Sequence, residues 1–157
     1  MTAGESKTRA PSSGANADPR GSMTGTVVWV VDGDTIHVHV GRRLLKVRYI
    51  GVNTPEIPHL LRGWVDGGAR AHQVNLRLVG GREARLELDA QHRDIYGRLL
   101  AYVHVERARR WVMANAEMVR RGYAQVMTIP PNVRYQELFM NLQRAARAAR
   151  RGLWGRR

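Results

Sequence analysis

Apolar and β-branched residues first gather at Thr26–Val31, a run without charge that ends on Asp32-Gly33. The pattern resumes as Asp34-Thr35-Ile36-His37-Val38-His39-Val40, apolar at alternate positions, and Gly41-Arg42-Arg43 breaks it before a third run, Leu44–Val52. Short apolar or alternating runs bounded by Gly and Asp predict three consecutive strands, a β-meander. Residues 53–65 hold two prolines and little periodicity, which predicts a loop. Ala71, Val74 and Leu78 place a helix over Ala69–Val79, stopped by Gly80-Gly81. Two further strands, Glu83–Ala90 and Arg98–Val105, flank a polar turn containing Tyr96-Gly97. Asn115 is expected to cap a short helix that Gly122 closes. A last helix is expected from Val133 to Arg151, with Tyr135, Leu138, Phe139, Leu142, Ala146 and Ala149 as its apolar stripe. Arg144, Arg147 and Arg151 fall on its opposite face. Five strands with three interspersed helices suit a small closed barrel, so the fold class is α+β and β-rich.

Composition adds a boundary and a partner. At 157 residues the chain holds one domain with a real core. Residues 1–22 are polar and basic and read as a disordered leader, leaving 23–157 as the folded domain. The leader lacks an apolar core of the signal-peptide kind, so a cytoplasmic location is expected unless the true N-terminus lies upstream. No apolar run is long enough to span a membrane, and a monomer is expected. Cysteine is absent, which excludes disulfide and thiolate chemistry. The net charge is +13, and residues 107–157 carry most of it, with 12 Arg against 2 Glu. Such a surface favours a polyanion, because each phosphate contact releases condensed counterions. An arginine-rich way of keeping the surface soluble would look the same from charge alone.

Three segments hold polar groups that folding alone does not require. In Asp32-Gly33-Asp34-Thr35, the second Asp opens a strand, where Asp is disfavoured. It shares the parity of Ile36 and Val38, so its carboxylate should face the barrel at the rim, where a cation or an arginine must offset it. An Asx-turn would account for the same residues without a ligand. Arg48 interrupts an otherwise apolar strand that ends in Asn53, Thr54, Pro55 and Glu56, an oxygen-rich turn of the mixture that hard cations take. Asp94-Ile95-Tyr96-Gly97-Arg98 alone reads as an ordinary hairpin with an exposed arginine. In combination it supplies a second Arg that could face Arg48 across a barrel end.

These segments resemble, in order and at similar separations, the three signature segments of the staphylococcal-nuclease-like (thermonuclease) family. The similarity continues through Asn115–Gly122 and Arg151-Gly152-Leu153-Trp154, covering about Thr24 to Trp154. The resemblance implies a five-stranded OB-type barrel and Ca²⁺-dependent hydrolysis of DNA or RNA by in-line attack of an activated water. It implies that Asp34 is a direct Ca²⁺ ligand, that Thr54 ligates through its carbonyl, and that Asn53 occupies the place of a second carboxylate ligand. Glu56 matches the proposed general base, and Arg48 and Arg98 match the pair that clamps the scissile phosphate. Asp32 would support the ligands from behind, and Tyr96 would touch a phosphate. The basic face of Arg144, Arg147 and Arg151 would add nonspecific affinity for nucleic acid.

Two departures stand out. Asn53 is a neutral amide where the family pattern has a carboxylate, and Val126–Asn132 lacks the tyrosines that pack around the nucleotide in the founding enzyme. Of the remaining candidates, His37 and His39 alternate with apolar residues and are expected to face solvent. His59, His72, His92 and His104 lack metal-ligand spacing. Trp29 and Trp111 are expected to pack in the core or at sheet edges, Trp154 to anchor the last helix, and Met113, Met118, Met127 and Met140 to fill the core. The rival function is an OB-fold nucleic-acid-binding module with little or no catalysis. Asp34, Arg48, Glu56 and Arg98 together argue against it, because a binder needs no base beside a metal site. A protein-interaction module would leave the basic C-terminal third unexplained.

Overall fold

The computed structural model describes residues 22–55 and 65–155. All of the expected leader except Ser22 lies outside the described residues, as do Glu56, His59 and most of the expected 53–65 loop.

The meander forms as β1 (Met23–Asp32), β2 (Thr35–Val40) and β3 (Arg43–Tyr49), and a turn at Gly51 leads into the short β4 (Val52–Asn53). After α1 (Val65–Val79) come β5 (Glu83–Glu87), β6 (Leu99–Arg107) and β7 (Arg110–Met113). The chain closes with α2 (Ala114–Arg120), β8 (Gln125–Val126), α3 (Gln136–Ala148) and a 3₁₀ turn at Gly152–Gly155. The sheet order is β3-β2-β1-β5-β6-β7, and β3 also pairs in parallel with β6. That extra pairing closes five strands into a barrel and leaves β7 as a hairpin extension. The barrel removes the edges that an open sheet would expose. Among the described residues, no helix is long and apolar enough to cross a membrane.

Alternation along the strands fills the interior. Ile36 and Val38, Val47 and Tyr49, Leu86, and Ala101 and Val103 are all buried. Burying a branched side chain of this size contributes about 1.5–3 kcal/mol. Twice along β1 the alternation slips by one residue, between Val27 and Trp29 and between Val30 and Asp32, where β1 gains a residue relative to β2. The first slip turns Trp29 outward, to 65% exposure, rather than into the core or an edge contact as expected. Met127 and Met140 are also exposed and do not fill the core, whereas Met118 is fully buried.

The helices differ from expectation at their ends. α1 begins earlier, at Val65 rather than Ala69. α3 is shorter than Val133–Arg151, and its buried residues are Phe139 and Ala146, with Leu138 partly in solvent. Asn115 is no cap. Met113 holds that position, and Asn115 lies inside α2, fully buried. Its amide accepts from the Val103 N–H at 2.9 Å and donates to the carbonyls of Ile50 at 2.9 Å and Ala101 at 3.2 Å. One side chain therefore ties α2 to β6 and to the turn after β3. Phe139 presses on that same turn. A Cβ at Gly51, where φ is +81°, would lie 2.7 Å from the Phe139 ring, so the close approach requires glycine. Ahead of α3, Arg134 donates to Glu87 at 3.0 Å and to the Leu88 carbonyl at 2.9 Å, holding the helix against the barrel.

Candidate active site

The ends of β1 and β3 and the starts of β2 and β6 meet at one rim of the barrel. Thr35 pairs with Asp32 on one side and with Arg48 on the other, and Arg48 pairs with Leu100. Asp34, just before β2, is buried at 5% exposure. Its Oδ1 accepts from the Thr35 hydroxyl at 2.9 Å, and its Oδ2 accepts from the Thr54 N–H at 2.9 Å. That second bond clasps the strand-ending turn Asn53–Pro55 to the β1–β2 turn. Gly33 makes the clasp possible. A Cβ there would stand 2.6 Å from Thr54 Oγ1.

Asp32 sits beside this carboxylate and accepts from the Asp34 N–H at 3.1 Å. Burial, and then the neighbouring Asp34 carboxylate, push its carboxyl up to about 6. Behind the pair, Asn75 donates to the Asp32 carbonyl at 2.9 Å and accepts from the Tyr49 hydroxyl at 2.7 Å. Burial drives that phenol well above its ordinary value.

Arg48 leaves β3 half-buried and curls over the turn that follows. Nη1 donates to the carbonyls of Tyr49 at 2.8 Å and Val52 at 2.9 Å, while Nη2 donates to Asn53 Oδ1 at 3.2 Å and stands 3.5 Å from Asp34 Oδ2. Parity with Ile50 and Val52 does not explain this placement, because β3 ends at Tyr49. Within β3, Arg48 shares the outer face with Lys46 and the exposed Leu44. Nη1 is occupied by two carbonyls and Nη2 by Asn53, so an anion on the Nε–Nη2 edge would displace the bond to Asn53.

Arg98 is held differently. Its Nε donates to Asp94 Oδ2 at 2.8 Å, its backbone N–H to Asp94 Oδ1 at 2.9 Å, and its guanidinium lies 5.4 Å over the Tyr96 ring. Partial burial opposes ionisation of Asp94. The bonds from Arg98 and the Tyr96 N–H outweigh it and hold the carboxyl below its ordinary value. No bond engages the Nη atoms of Arg98 among the described residues. Arg48, Tyr96 and Arg98 line one groove of about 320 Å³, with Leu100 and Met127 on its wall. A second cleft, of about 440 Å³, opens on the other side of Asn53 and Thr54 and is lined by Tyr123, Leu153 and Trp154.

Arg144, Arg147 and Arg151 are exposed on α3 and just beyond it, away from the two-arginine groove. Arg147 lies 4.9 Å over the Trp154 ring, and Arg151 donates to the Arg120 carbonyl at 3.1 Å. His37 and His39 are half-buried and exposed on the outer face of β2. Sequence reasoning passed over Thr35, Asn75 and Asp94 as partners of the site. Asp94 alone had a signal, its position four residues before Arg98 in the same motif.

Among the described residues no three Asp, Glu, His or Cys side chains cluster as a metal set. The donors present are nonetheless those of a hard cation: a buried carboxylate at Asp34, a second one beside it, and the amide and carbonyl oxygens of 53–54. Thr54 Oγ1, buried and without a hydrogen-bond partner among the described residues, adds a further oxygen. The residues fit a cation.

The model of the staphylococcal nuclease homologue family matches residues 46–156. The chain is 32% identical to the thermonuclease of Staphylococcus hyicus over 144 residues, which is 92% of this chain and 83% of that protein. It is 33% identical over 148 residues to the uncharacterized protein MJ1439 of Methanocaldococcus jannaschii, 83% of this chain and 70% of that one. Endonuclease YncB of Bacillus subtilis is 32% identical over 128 residues, covering 80% of this chain and 59% of the endonuclease. This closed barrel, with both arginines at one rim, thus has sequence relatives along most of its length. The chain belongs to the staphylococcal nuclease homologue family, whose named members here are nucleases.

Proposed function

We propose that the protein is a Ca²⁺-dependent nuclease that hydrolyses phosphodiester bonds of DNA, RNA or both at the rim formed by Asp34, Arg48, Thr54 and Arg98. The observation that carries this reading is the shared groove. Two guanidinium groups, one from β3 and one from the residue just before β6, line one cavity, and that of Arg48 stands 3.5 Å from the buried carboxylate of Asp34.

In-line attack of water on a phosphodiester raises the charge at phosphorus from about one negative to about two. The Nη atoms of Arg98, and the Nε–Nη2 edge of Arg48 once Nη2 gives up Asn53, are available to bond that added charge. Groups that bind the doubly charged state more strongly than the substrate lower the barrier rather than tighten the ground state. Asp94 fixes the Arg98 guanidinium, and the carbonyls of Tyr49 and Val52 fix that of Arg48, so little reorganisation is required as the charge develops. Asp34, the Asn53 side chain and the Thr54 carbonyl would hold the cation, with Asp32 supporting from behind. When bound, Ca²⁺ supplies Lewis acidity toward a phosphoryl oxygen. Glu56 takes the role of general base on the strength of its place in the family motif. Tyr96 would contact a neighbouring phosphate, and Arg144, Arg147 and Arg151 would raise nonspecific affinity.

Purified protein incubated with labelled single- and double-stranded DNA and RNA, in Ca²⁺ or in EDTA, tests the reading. Cleavage in Ca²⁺ that EDTA abolishes is expected. Tight binding of all four substrates without cleavage in any divalent cation would make the protein a binding module instead.

A further inference from the structure

The slip in β1 at Val28 has an effect that catalysis does not use. Val27 faces Val38 and Trp29 faces His37, so Val28 is the extra residue and Trp29 points to the outside of the barrel. Bulges often serve to re-aim one side chain. Here the indole is 65% exposed, and no ring or cation covers it among the described residues. Val28 beside it and Leu44 on β3 are exposed as well, so the indole is not a singly scattered apolar residue.

The register shows what surrounds it. Trp29, His37 and Lys46 form one row across β1, β2 and β3, and Thr26, His39 and Leu44 form the next. On β3, Lys46 lies two residues before Arg48 on the same outer face, a step of roughly 7 Å. Arg42 and Arg43 are exposed at the turn beyond. The carboxylates bordering this face are Asp32, at its catalytic end, and Glu83, which pairs with Thr26 at the far end. Burial, and then the charge of Lys46, lower the His37 pKa, which favours a neutral imidazole beside the indole.

We propose that this outer face, centred on Trp29 and Lys46, is a subsite for single-stranded nucleic acid that continues the substrate path from Arg48. Its position as an extension rests on the nuclease reading. An unpaired base stacks on the indole while Lys46 meets an adjacent phosphate, the pairing of aromatic platform and cation that single strands require. A duplex keeps its bases stacked inside and offers Trp29 nothing. A second copy of the chain is disfavoured as occupant, because the same cations would face each other.

Affinity measured in EDTA, without cleavage, tests the subsite. Trp29→Ala is expected to weaken binding of a single-stranded oligonucleotide by roughly tenfold, with duplex affinity nearly unchanged. Trp29→Phe should recover part of the loss, Lys46→Gln should lower the salt dependence by about one unit, and Trp111→Ala should change neither. Unaltered single-strand affinity in folded Trp29→Ala, or an equal loss in Trp111→Ala, would overturn the proposal. So would a dimer that Trp29→Ala dissolves while oligonucleotide affinity stays the same. A nitrophenyl ester of a mononucleotide is too short to reach Trp29 and should be cleaved equally by parent and variant. No cleavage of it by either, with the Trp29 effect on binding intact, would defeat the nuclease reading and leave the subsite standing.

Discussion

Replacing Arg48 by alanine should damage stability and turnover together, because the side chain has two occupations. Its side chain is 12% exposed, and Nη1 makes two short bonds to the carbonyls of Tyr49 and Val52, closing the turn between β3 and β4. Bonds from a charged donor contribute about 1.5–3 kcal/mol each, so the loss should be about 3–6 kcal/mol out of a total near 5–15. At roughly 3 °C per kcal/mol for a domain of this size, the melting temperature should drop by about 9–18 °C. Lysine can reach one of the carbonyls, so Arg48→Lys should regain about half of that. It should not regain turnover, because an ammonium lacks the Nε–Nη2 edge. Circular dichroism melts in EDTA, with cleavage assayed well below the lowered midpoint, separate the two effects. An unchanged melting temperature in Arg48→Ala would refute the structural clamp, and parental turnover in Arg48→Lys would refute the bidentate contact with phosphate.

Gly33→Ala drives a methyl into Thr54 and should break the clasp to Asp34 without removing any proposed ligand atom. A loss of about 1–3 kcal/mol in urea unfolding is expected, with weaker Ca²⁺ binding by calorimetry; parental values for both would show the clasp is unimportant. Asn53→Asp keeps the oxygen that accepts from Arg48 and adds a charge. It should tighten Ca²⁺ in the free protein and raise activity at limiting Ca²⁺, and unchanged calorimetric affinity would remove the residue 53 side chain from the ligand set. Asp94 is held below its ordinary value of 3.8 in the fold. Its stabilising contribution is therefore present above that value and is lost as pH falls through the lower folded one. Asp94→Asn should gain less stability than the parent between pH 3 and pH 6, and equal gains would contradict the bonding pattern seen around Arg98.

The meander and the closed barrel were legible in the sequence, because turn residues and period-two alternation report directly on strand ends and facing. The bulges of β1 were not. An extra residue shifts the phase of alternation without changing composition, so Trp29 reads as interior when it is exposed. The β6–β7 hairpin was missed for a related reason: its turn uses Ala108 and Arg109 at positive φ, with no glycine to announce it. Asn115 looked like a cap because isolated Asn before a helical run usually is one. Its partners are backbone groups as many as 65 residues away, which no local pattern encodes. The three signature segments could be picked out, but not the division of labour between Arg48, tied into the backbone, and Arg98, tied to a single carboxylate.

Arg98 therefore offers the cleanest test of the nuclease reading. It is held by one partly exposed ion pair with Asp94, of a kind worth at most about 1 kcal/mol, so its loss should leave the fold intact. Single-turnover cleavage and equilibrium binding of one labelled oligonucleotide should be measured side by side for the parent and Arg98→Ala. The rate in Ca²⁺ should fall by about 100- to 1000-fold, with affinity in EDTA changed only a few-fold and the melting temperature unchanged. A folded Arg98→Ala variant that cleaves at the parental rate would contradict the assignment of this rim as the site of phosphodiester hydrolysis.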